Sequence, residues 1–212
     1  MISTPKIIPL PAVKMPEKEI FIRLRTRVQD LPESDYRRIV EIMRRGFGYC
    51  RFSGCFCEAD IKVADGVITL NDAVTWKSEK LSANLADCRK LIIFGVTAGR
   101  EIVERSIAAF DNAVASEGAI FDAVGSESVE AAADALEDYL RRQYARTGQV
   151  LVKRRFSPGY GDWALTAQKD IFNILPMDKI GVKLSPELIM APEKSITAVI
   201  GIINPGDAKD NE

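Results

Sequence analysis

The order of helix-like and strand-like segments is the feature that most constrains the fold of this chain. Helical apolar spacing dominates the first two-thirds of the sequence, whereas strand-like segments occur in groups and do not alternate with helices. A doubly wound parallel sheet requires regular alternation of strand and helix. The order therefore predicts an α+β domain.

Apolar periodicity and turn residues predict where the elements lie. Helices are predicted at 17–29, 35–45, 100–116, from about 127 onward, and at 164–175. Gly46 is expected to end the second of these helices, and Gly125 with Ser126 to precede the fourth. Strands are predicted at 49–57, 60–70 and 91–96 and within 181–203, with a tight turn at 64–66.

The length and composition predict one main domain. The chain has 212 residues, of which 47% are hydrophobic, and this is enough for one substantial core. Four prolines between positions 5 and 16 predict an extended N-terminal arm over 1–16. The domain is then expected to cover 17–203, followed by a flexible polar tail at 204–212.

Charge and hydropathy exclude several classes of function. Twenty-nine basic and 30 acidic residues give a net charge of −1, which argues against a nucleic-acid or membrane-surface binder. No apolar run is long enough for a transmembrane helix, and the first residues lack the features of a signal peptide. A cytoplasmic location is therefore expected.

The chain contains no histidine, which removes histidine-based catalysis and histidine metal sites. We assign no catalytic residue and no metal ligand. The four cysteines are Cys50, Cys55, Cys57 and Cys88. Their spacing fits no strong metal-binding rule, so we expect buried reduced thiols, with a thiolate metal site as the open alternative.

Four acidic side chains follow one another at helical spacing: Glu127, Glu130, Asp134 and Glu137. Such a stripe predicts a solvated helix face, and a cation-binding role for one member stays open. A second short pattern, Thr97, Ala98 and Gly99, follows the strand predicted at 91–96. It predicts a helix cap, with anion binding at the helix N-terminus as the alternative.

Residues 155–163 combine turn residues with many groups that bind ligands. The segment reads Arg-Phe-Ser-Pro-Gly-Tyr-Gly-Asp-Trp, and its proline and glycines exclude a core helix or central strand. A ligand cradle is predicted, because glycine lets a ligand approach the backbone closely. The alternatives are a tight connection, with Arg155 in a strand-end salt bridge and Trp163 as a core anchor.

Arg155, Gly159 and Tyr160 form an R-x-x-x-G-Y pattern that resembles the activation domain of cobalamin-dependent methionine synthase. Three further segments resemble that family in the same order. They are residues 97–99, residues 121–130, and the stretch that contains Leu184, Met190, Pro192 and Ser195. Together with the loop they cover about residues 90–203.

The resemblance implies a C-shaped single domain with a twisted antiparallel sheet and flanking helices. It also implies binding of S-adenosylmethionine (AdoMet) and a role in repairing oxidised cobalamin held by a partner protein. An electron from flavodoxin, ferredoxin or a similar donor and the methyl group of AdoMet would convert cob(II)alamin to methylcobalamin. Because 212 residues cannot hold the other modules of a methionine synthase, the resemblance implies a free-standing activation subunit.

The resemblance further implies a set of ligand-binding residues: Arg155, Ser157, Pro158, Gly159, Tyr160, Asp134 and Asp162. Arg155 would bind the carboxylate of AdoMet through its two-pronged guanidinium, and Tyr160 would stack on adenine or face the sulfonium. Asp134 would pair with the ammonium group, with Asp162 as a second candidate.

The chain departs from the family in its last strand, where small aliphatic residues at 198–202 replace aromatic ones. Two other functions also stay open. The chain could be a reactivation or docking subunit for another corrinoid methyltransferase, without a catalytic role of its own. It could also be an independent AdoMet methyltransferase, although it lacks a glycine-rich nucleotide loop and an obvious general base.

Overall fold

The computed structural model of the protein describes residues 1–10 and 13–204. The strands are β1 (Lys6–Pro9), β2 (Ser53–Ala64), β3 (Val67–Leu70), β4 (Val74–Lys77), β5 (Lys90–Thr97), β6 (Val150–Leu151), β7 (Lys183–Leu184), β8 (Met190–Ala191) and β9 (Ser195–Ile203). The α-helices are α1 (Glu17–Arg23), α2 (Glu33–Gly48), α3 (Glu79–Asn84), α4 (Glu101–Asp111), α5 (Ala115–Ala145) and α6 (Ala167–Ile174). Short 3₁₀ helices lie at Val28–Asp30 and Met177–Ile180.

The main sheet is antiparallel and open, with the strand order β4-β3-β2-β5-β9-β6. The long strand β2 has two partners along one edge, β1 beside its first residues and β3 beside its last. A separate two-stranded sheet pairs β7 with β8. The predicted α+β class and the antiparallel sheet are confirmed.

The sheet separates two hydrophobic cores because alternate residues of a strand point to opposite faces. In β5, Ile92, Phe94 and Val96 pack beneath α1, α2, α4 and α5. Leu91 and Ile93 instead join the core on the other face, together with Trp76, Trp163 and α6. The predicted strand at 91–96 is thus confirmed, and its wholly apolar sequence reflects burial on both faces.

Two glycines that the sequence placed at helix ends lie inside helices, so both predicted boundaries are wrong. Gly46 is buried within α2, and a Cβ atom there would lie 2.8 Å from Cδ1 of Phe121. Gly125 lies well inside the 31-residue α5, where a Cβ atom would lie 3.1 Å from Cγ of Lys194. Both glycines allow close packing, and this outweighs their low helix propensity.

Other predicted boundaries differ from the structure in smaller ways. Strands were predicted at 49–57 and 60–70. The structure instead has one long strand over most of this stretch, β2, followed by the short strand β3, which forms a hairpin with it. The tight turn predicted at 64–66 is confirmed between β2 and β3, with φ of 49° at Asp65 and 74° at Gly66. The predicted helix at 17–29 is split into α1 and a 3₁₀ turn, and the helices predicted at 100–116 and 164–175 are shorter.

The two ends of the chain differ in what the structure describes. Within the predicted arm, β1 pairs antiparallel with the first four residues of β2 and so belongs to the main sheet. Of the predicted tail, Asn204 accepts a 2.8 Å hydrogen bond from Nε2 of Gln149, and 205–212 lie outside the described residues. No helix among the described residues is long and apolar enough to cross a membrane.

Candidate functional site

The loop at 155–163 is fixed at both ends by the sheet and the core. The backbone of Phe156 forms two hydrogen bonds with Val199 of β9, at 2.9 and 2.8 Å. At the other end the ring of Trp163 is 2% exposed and lies 4.9 Å from the ring of Trp76. The core-anchor interpretation of Trp163 is confirmed, and the segment between these anchors is held in place.

Positive φ angles give the loop its shape. Gly159 has a φ of 87° and Gly161 a φ of 61°, which only glycine adopts readily. The amide of Gly159 donates a 2.9 Å hydrogen bond to the carbonyl of Trp163, which closes the turn. Tyr160, between the two glycines, is therefore turned outward, and 68% of its surface is exposed.

A cleft of about 1000 Å³ opens beside this loop. One side is formed by Arg155, Ser157, Pro158 and Tyr160 of the loop. The remaining lining includes residues 195–197 of β9, Ser126, Val129 and Glu130 of α5, and Lys80 and Asn84 of α3. The volume is in the range of small-molecule sites.

Arg155 forms ion pairs with three carboxylates of α5. Its Nη1 atom lies 2.5 Å from Oδ1 of Asp134 and 3.2 Å from Oε2 of Glu137, and Nη2 lies 2.8 Å from Oε2 of Glu130. Burial lowers the pKa of Arg155, but the hydrogen bonds and charges of these carboxylates raise it further than burial lowers it. The guanidinium is thus fully charged and held in one orientation.

The prediction of a solvated face for the acidic stripe on α5 is therefore correct only in part, because Glu130 and Asp134 are exposed but all four members form ion pairs. Three of its members bind Arg155, while Glu127 accepts a 2.5 Å hydrogen bond from Nε of Arg23. Glu137 also binds Arg141, at 2.5 Å, and Arg141 donates to the carbonyl oxygens of residues 151–153. These ion pairs and hydrogen bonds link α5 to residues 151–155, which lead into the loop.

Asp162 was predicted as a second candidate to bind the ligand's ammonium group, but in the structure it binds the start of α3. Its carboxylate accepts hydrogen bonds from Oγ of Ser78 at 2.5 Å and from the backbone amides of Glu79 and Lys80 at 2.8 and 3.3 Å. The Ser78 hydroxyl and these amides hold the pKa of Asp162 below its ordinary value. Asp162 thus ties the loop to the start of α3.

The structure brings together part of the predicted ligand-binding set. Arg155, Ser157, Pro158 and Tyr160 line the cleft, whereas Gly159, Asp134 and Asp162 are not among its lining residues. Asp134 binds Arg155 directly. The alternative of a salt bridge at Arg155 is therefore also correct, although Arg155 still lines the cleft.

Three polar residues that line the cleft, Lys194, Thr197 and Gln168, were not predicted from the sequence to bind a ligand. Nζ of Lys194 lies 2.6 Å from Asp122 and 2.9 Å from Glu193, and these contacts raise its pKa although burial opposes them. Oγ1 of Thr197 donates to Oε1 of Gln168 at 3.0 Å. Position 194 lies in a segment that carried the family resemblance, whereas no sequence signal marked Gln168.

The Thr97 turn shapes the neighbouring strand ends. Oγ1 of Thr97 accepts hydrogen bonds from the amide of Gly99 at 3.0 Å and from Oγ of Ser195 at 2.9 Å. Helix α4 begins later and has no side-chain cap at its N-terminus. The predicted capping role is therefore wrong, because the hydroxyl is directed into its own turn and toward β9.

All four cysteines are buried and free. Burial raises the pKa of Cys50, Cys55 and Cys57 to about 12 and that of Cys88 to about 11. The prediction of buried reduced thiols is confirmed, and Cys55 and Cys57 share one face of β2. No cluster of cysteine and acidic residues suited to a metal ion occurs in the part of the chain that the structure describes.

Comparison with known proteins identifies the fold. The sequence matches no protein-family model and no curated protein. Among solved structures it is similar to the MetH reactivation domain, in a crystal structure with AdoHcy (S-adenosylhomocysteine) bound. The TM-score is 0.68 at 14% sequence identity, over 95% of this chain and 78% of that chain. The predicted fold resemblance is confirmed, and at this identity the similarity concerns the fold alone.

Proposed function

We propose that this protein binds AdoMet in the cleft and presents it to the cobalamin of a partner, a cobalamin-dependent methionine synthase. One observation carries the proposal. Four of the predicted ligand-binding residues line a ligand-sized cleft in a fold shared with a reactivation domain whose crystal structure contains AdoHcy. AdoHcy is what remains of AdoMet after its methyl group has been transferred.

The residues of the cleft fit the chemical groups of AdoMet. Arg155 offers a rigid cation for the ligand's carboxylate, and the acidic residues beside it favour the positive ammonium group. The exposed ring of Tyr160 can stack on adenine or face the sulfonium. The apolar side chains of Val129 and Pro158 cover part of the remaining surface.

In this proposal the chain contributes positioning. The ligand supplies the methyl group, and the cobalt of the partner accepts it after reduction by one electron from flavodoxin, ferredoxin or a similar donor. Holding the ligand rigidly raises the frequency of productive encounters with the partner's corrinoid. The buried Trp163 and the closed turn at Gly159 support this, because they fix the loop before any ligand arrives.

Titration calorimetry with AdoMet tests ligand binding. We expect Tyr160→Ala to weaken binding by about threefold to thirtyfold, from loss of the ring contact alone. Tyr139→Ala is the matched control, because Tyr139 is also exposed but does not line the cleft. A wild-type protein that does not bind AdoMet would contradict the proposal.

Variants of Arg155 test the anchor of the proposed site. Arg155→Ala should abolish measurable binding, and Arg155→Lys should restore little of it, because lysine keeps the charge but lacks the planar fork. Circular dichroism and thermal unfolding of both variants check that the loop and α5 remain folded. Unchanged AdoMet affinity in a folded Arg155→Ala protein would remove Arg155 from the site.

A second candidate function is reactivation of, or docking to, another corrinoid methyltransferase. The feature that favours it is β9, where residues 198–202 are small and aliphatic, whereas the resemblance implies aromatic residues there. The test is to combine three components with the protein: AdoMet, a chemical reductant, and a methionine synthase from which the activation domain has been removed. Formation of methylcobalamin, followed by absorbance, supports the first proposal. AdoMet binding without methylcobalamin formation favours the second.

A further inference from the structure

Arg155 has a different acidic partner on each of its terminal nitrogens. Nη1 is bound by Asp134 and Glu137, and Nη2 is bound by Glu130. Of these three acids, only Glu130 is among the described residues that line the cleft. The Arg155–Glu130 pair therefore borders the cleft, whereas the other two carboxylates are outside its lining.

An α-amino acid group carries its ammonium and its carboxylate on the same carbon atom. A cation and an anion placed side by side in a site can bind both groups at once. Nη2 of Arg155 and Oε2 of Glu130 are 2.8 Å apart, and both side chains are partly accessible, with 22% and 48% of their surfaces exposed. The pair thus has the spacing and the access that such a group requires.

Both members of the pair retain hydrogen-bonding capacity. A guanidinium has five N–H donors, and the contacts of Arg155 with the described residues use three of them. Oε1 of Glu130 has no hydrogen bond within the described part of the chain. A ligand carboxylate and a ligand ammonium could therefore bind without breaking the ion pairs that hold Arg155.

The other acid that lines the cleft is less suited to this role. Glu193 is bound by Nζ of Lys194 at 2.9 Å and forms no ion pair with Arg155 in the described part of the chain, so it is not next to the proposed carboxylate anchor. Asp134 is 67% exposed, but it is outside the cleft lining and contacts the opposite nitrogen of Arg155. This leaves Glu130 as the acid next to Arg155 on the cleft side.

We propose that Glu130, and not Asp134, accepts the ligand's ammonium group, so that the Arg155–Glu130 pair selects ligands with a free α-amino acid group. Asp134 and Glu137 are positioning residues that orient Arg155. This inference rests on the proposed function, because it concerns the same cleft. It adds a specificity: AdoMet and AdoHcy bind, whereas an adenosine thioether without the amino acid group loses this contribution.

Calorimetric titrations of wild type, Glu130→Gln and Asp134→Asn test the inference with two ligands, AdoHcy and 5′-methylthioadenosine. Both substitutions replace one carboxylate partner of Arg155 by its amide, so each controls for a general effect on the arginine. We expect Glu130→Gln to weaken AdoHcy binding by about tenfold or more, because a charge-assisted hydrogen bond is lost. Asp134→Asn should change it by less than about threefold.

The second ligand separates recognition from folding. Glu130→Gln should leave the affinity for 5′-methylthioadenosine unchanged, since this ligand has no ammonium group; a structural defect would weaken both ligands. Equal losses in the two variants, a larger loss in Asp134→Asn, or no loss in Glu130→Gln would each overturn the inference. If 5′-methylthioadenosine binds too weakly to fit, the two variants' AdoHcy affinities decide. Wild type that binds neither AdoMet nor AdoHcy would overturn the proposed function itself.

Discussion

Nη1 of Arg155 lies 2.5 Å from Oδ1 of Asp134, so two residues expected to bind opposite charges of a ligand bind each other. Their contact belongs to a larger network in which Glu137 bridges Arg155 and Arg141. Because Arg141 also holds the carbonyl oxygens of residues 151–153, the network joins α5 to the chain just before the loop. The orientation of Arg155 is therefore set by the fold.

Glu137→Gln should destabilise the protein. The side chain of Glu137 is only 13% exposed and pairs with two arginines, so its replacement removes the carboxylate that pairs with Arg141 and one of the three that pair with Arg155. We expect a loss of about 1–3 kcal/mol in the free energy of unfolding, measured by urea denaturation. Glu33→Gln, at an exposed pair with Arg37, should cost much less. Equal losses at the two positions would show that the bridge adds no stability.

Asp162→Asn should lower the melting temperature at pH 7 by roughly 2–4 °C, because the charged acceptor for Ser78 and two α3 amides is lost. The folded-state pKa of Asp162 is lowered. Its stabilisation is therefore present above the unfolded pKa of about 4 and is lost as the pH falls through the folded value.

The pH dependence of the melting temperature tests whether the charge of Asp162 causes this stabilisation. The difference in melting temperature between wild type and Asp162→Asn should be constant between pH 5 and about 8 and should shrink below about pH 4. Asp138→Asn, at an exposed position of α5 with no ion pair to the described residues, should show little difference at either pH. A difference that grows on acidification would contradict the assigned role.

Gly46→Ala should destabilise the protein although alanine favours helices. The new methyl group would lie 2.8 Å from the ring of Phe121, so α2 and α5 would have to move apart. We expect a net loss of about 1–3 kcal/mol in urea denaturation. Gly48→Ala on the same helix has no atom within 4 Å of the added group and should be neutral or stabilising. If both variants were stabilised, the packing assigned to Gly46 would be incorrect.

The cysteines should be unreactive in the native protein. With thiol pKa values raised to about 12 for Cys50, Cys55 and Cys57 and about 11 for Cys88, almost no thiolate exists at pH 8. Ellman's reagent should therefore detect no rapid reaction in native protein and four thiols after denaturation in guanidinium chloride. Rapid native reaction of even one thiol would show that its side chain reaches solvent.

Features set by local sequence were predictable. The apolar run of β5, the turn at Asp65 and Gly66, and the glycine turn within the loop at 155–163 each follow from residues close together in the chain. The α+β class also followed, because the order of segments restricts the arrangements that a sheet allows.

Features that depend on distant partners were not predictable. Gly46 and Gly125 have the properties of helix ends, and only the positions of Phe121 and Lys194 show that they are contact points between elements. The acidic stripe is polar in sequence, and only the path of residues 151–155 past α5 turns it into an ion-pair network. A ligand-binding role for Asp162 likewise could not be weighed without the location of α3.

The pairing of β1 with β2 bears on the design of shorter versions of this protein. A chain cut to residues 17–203 would correspond to the domain that the sequence delimits, but it would lack Lys6–Pro9. Residues 53–56 of β2, which include the apolar Cys55 and Phe56, would then have unpaired amide and carbonyl groups along an open strand edge. Exposed strand edges recruit other chains, so such a fragment should self-associate. Strand β1 thus covers an edge of β2 that would otherwise be open to other chains.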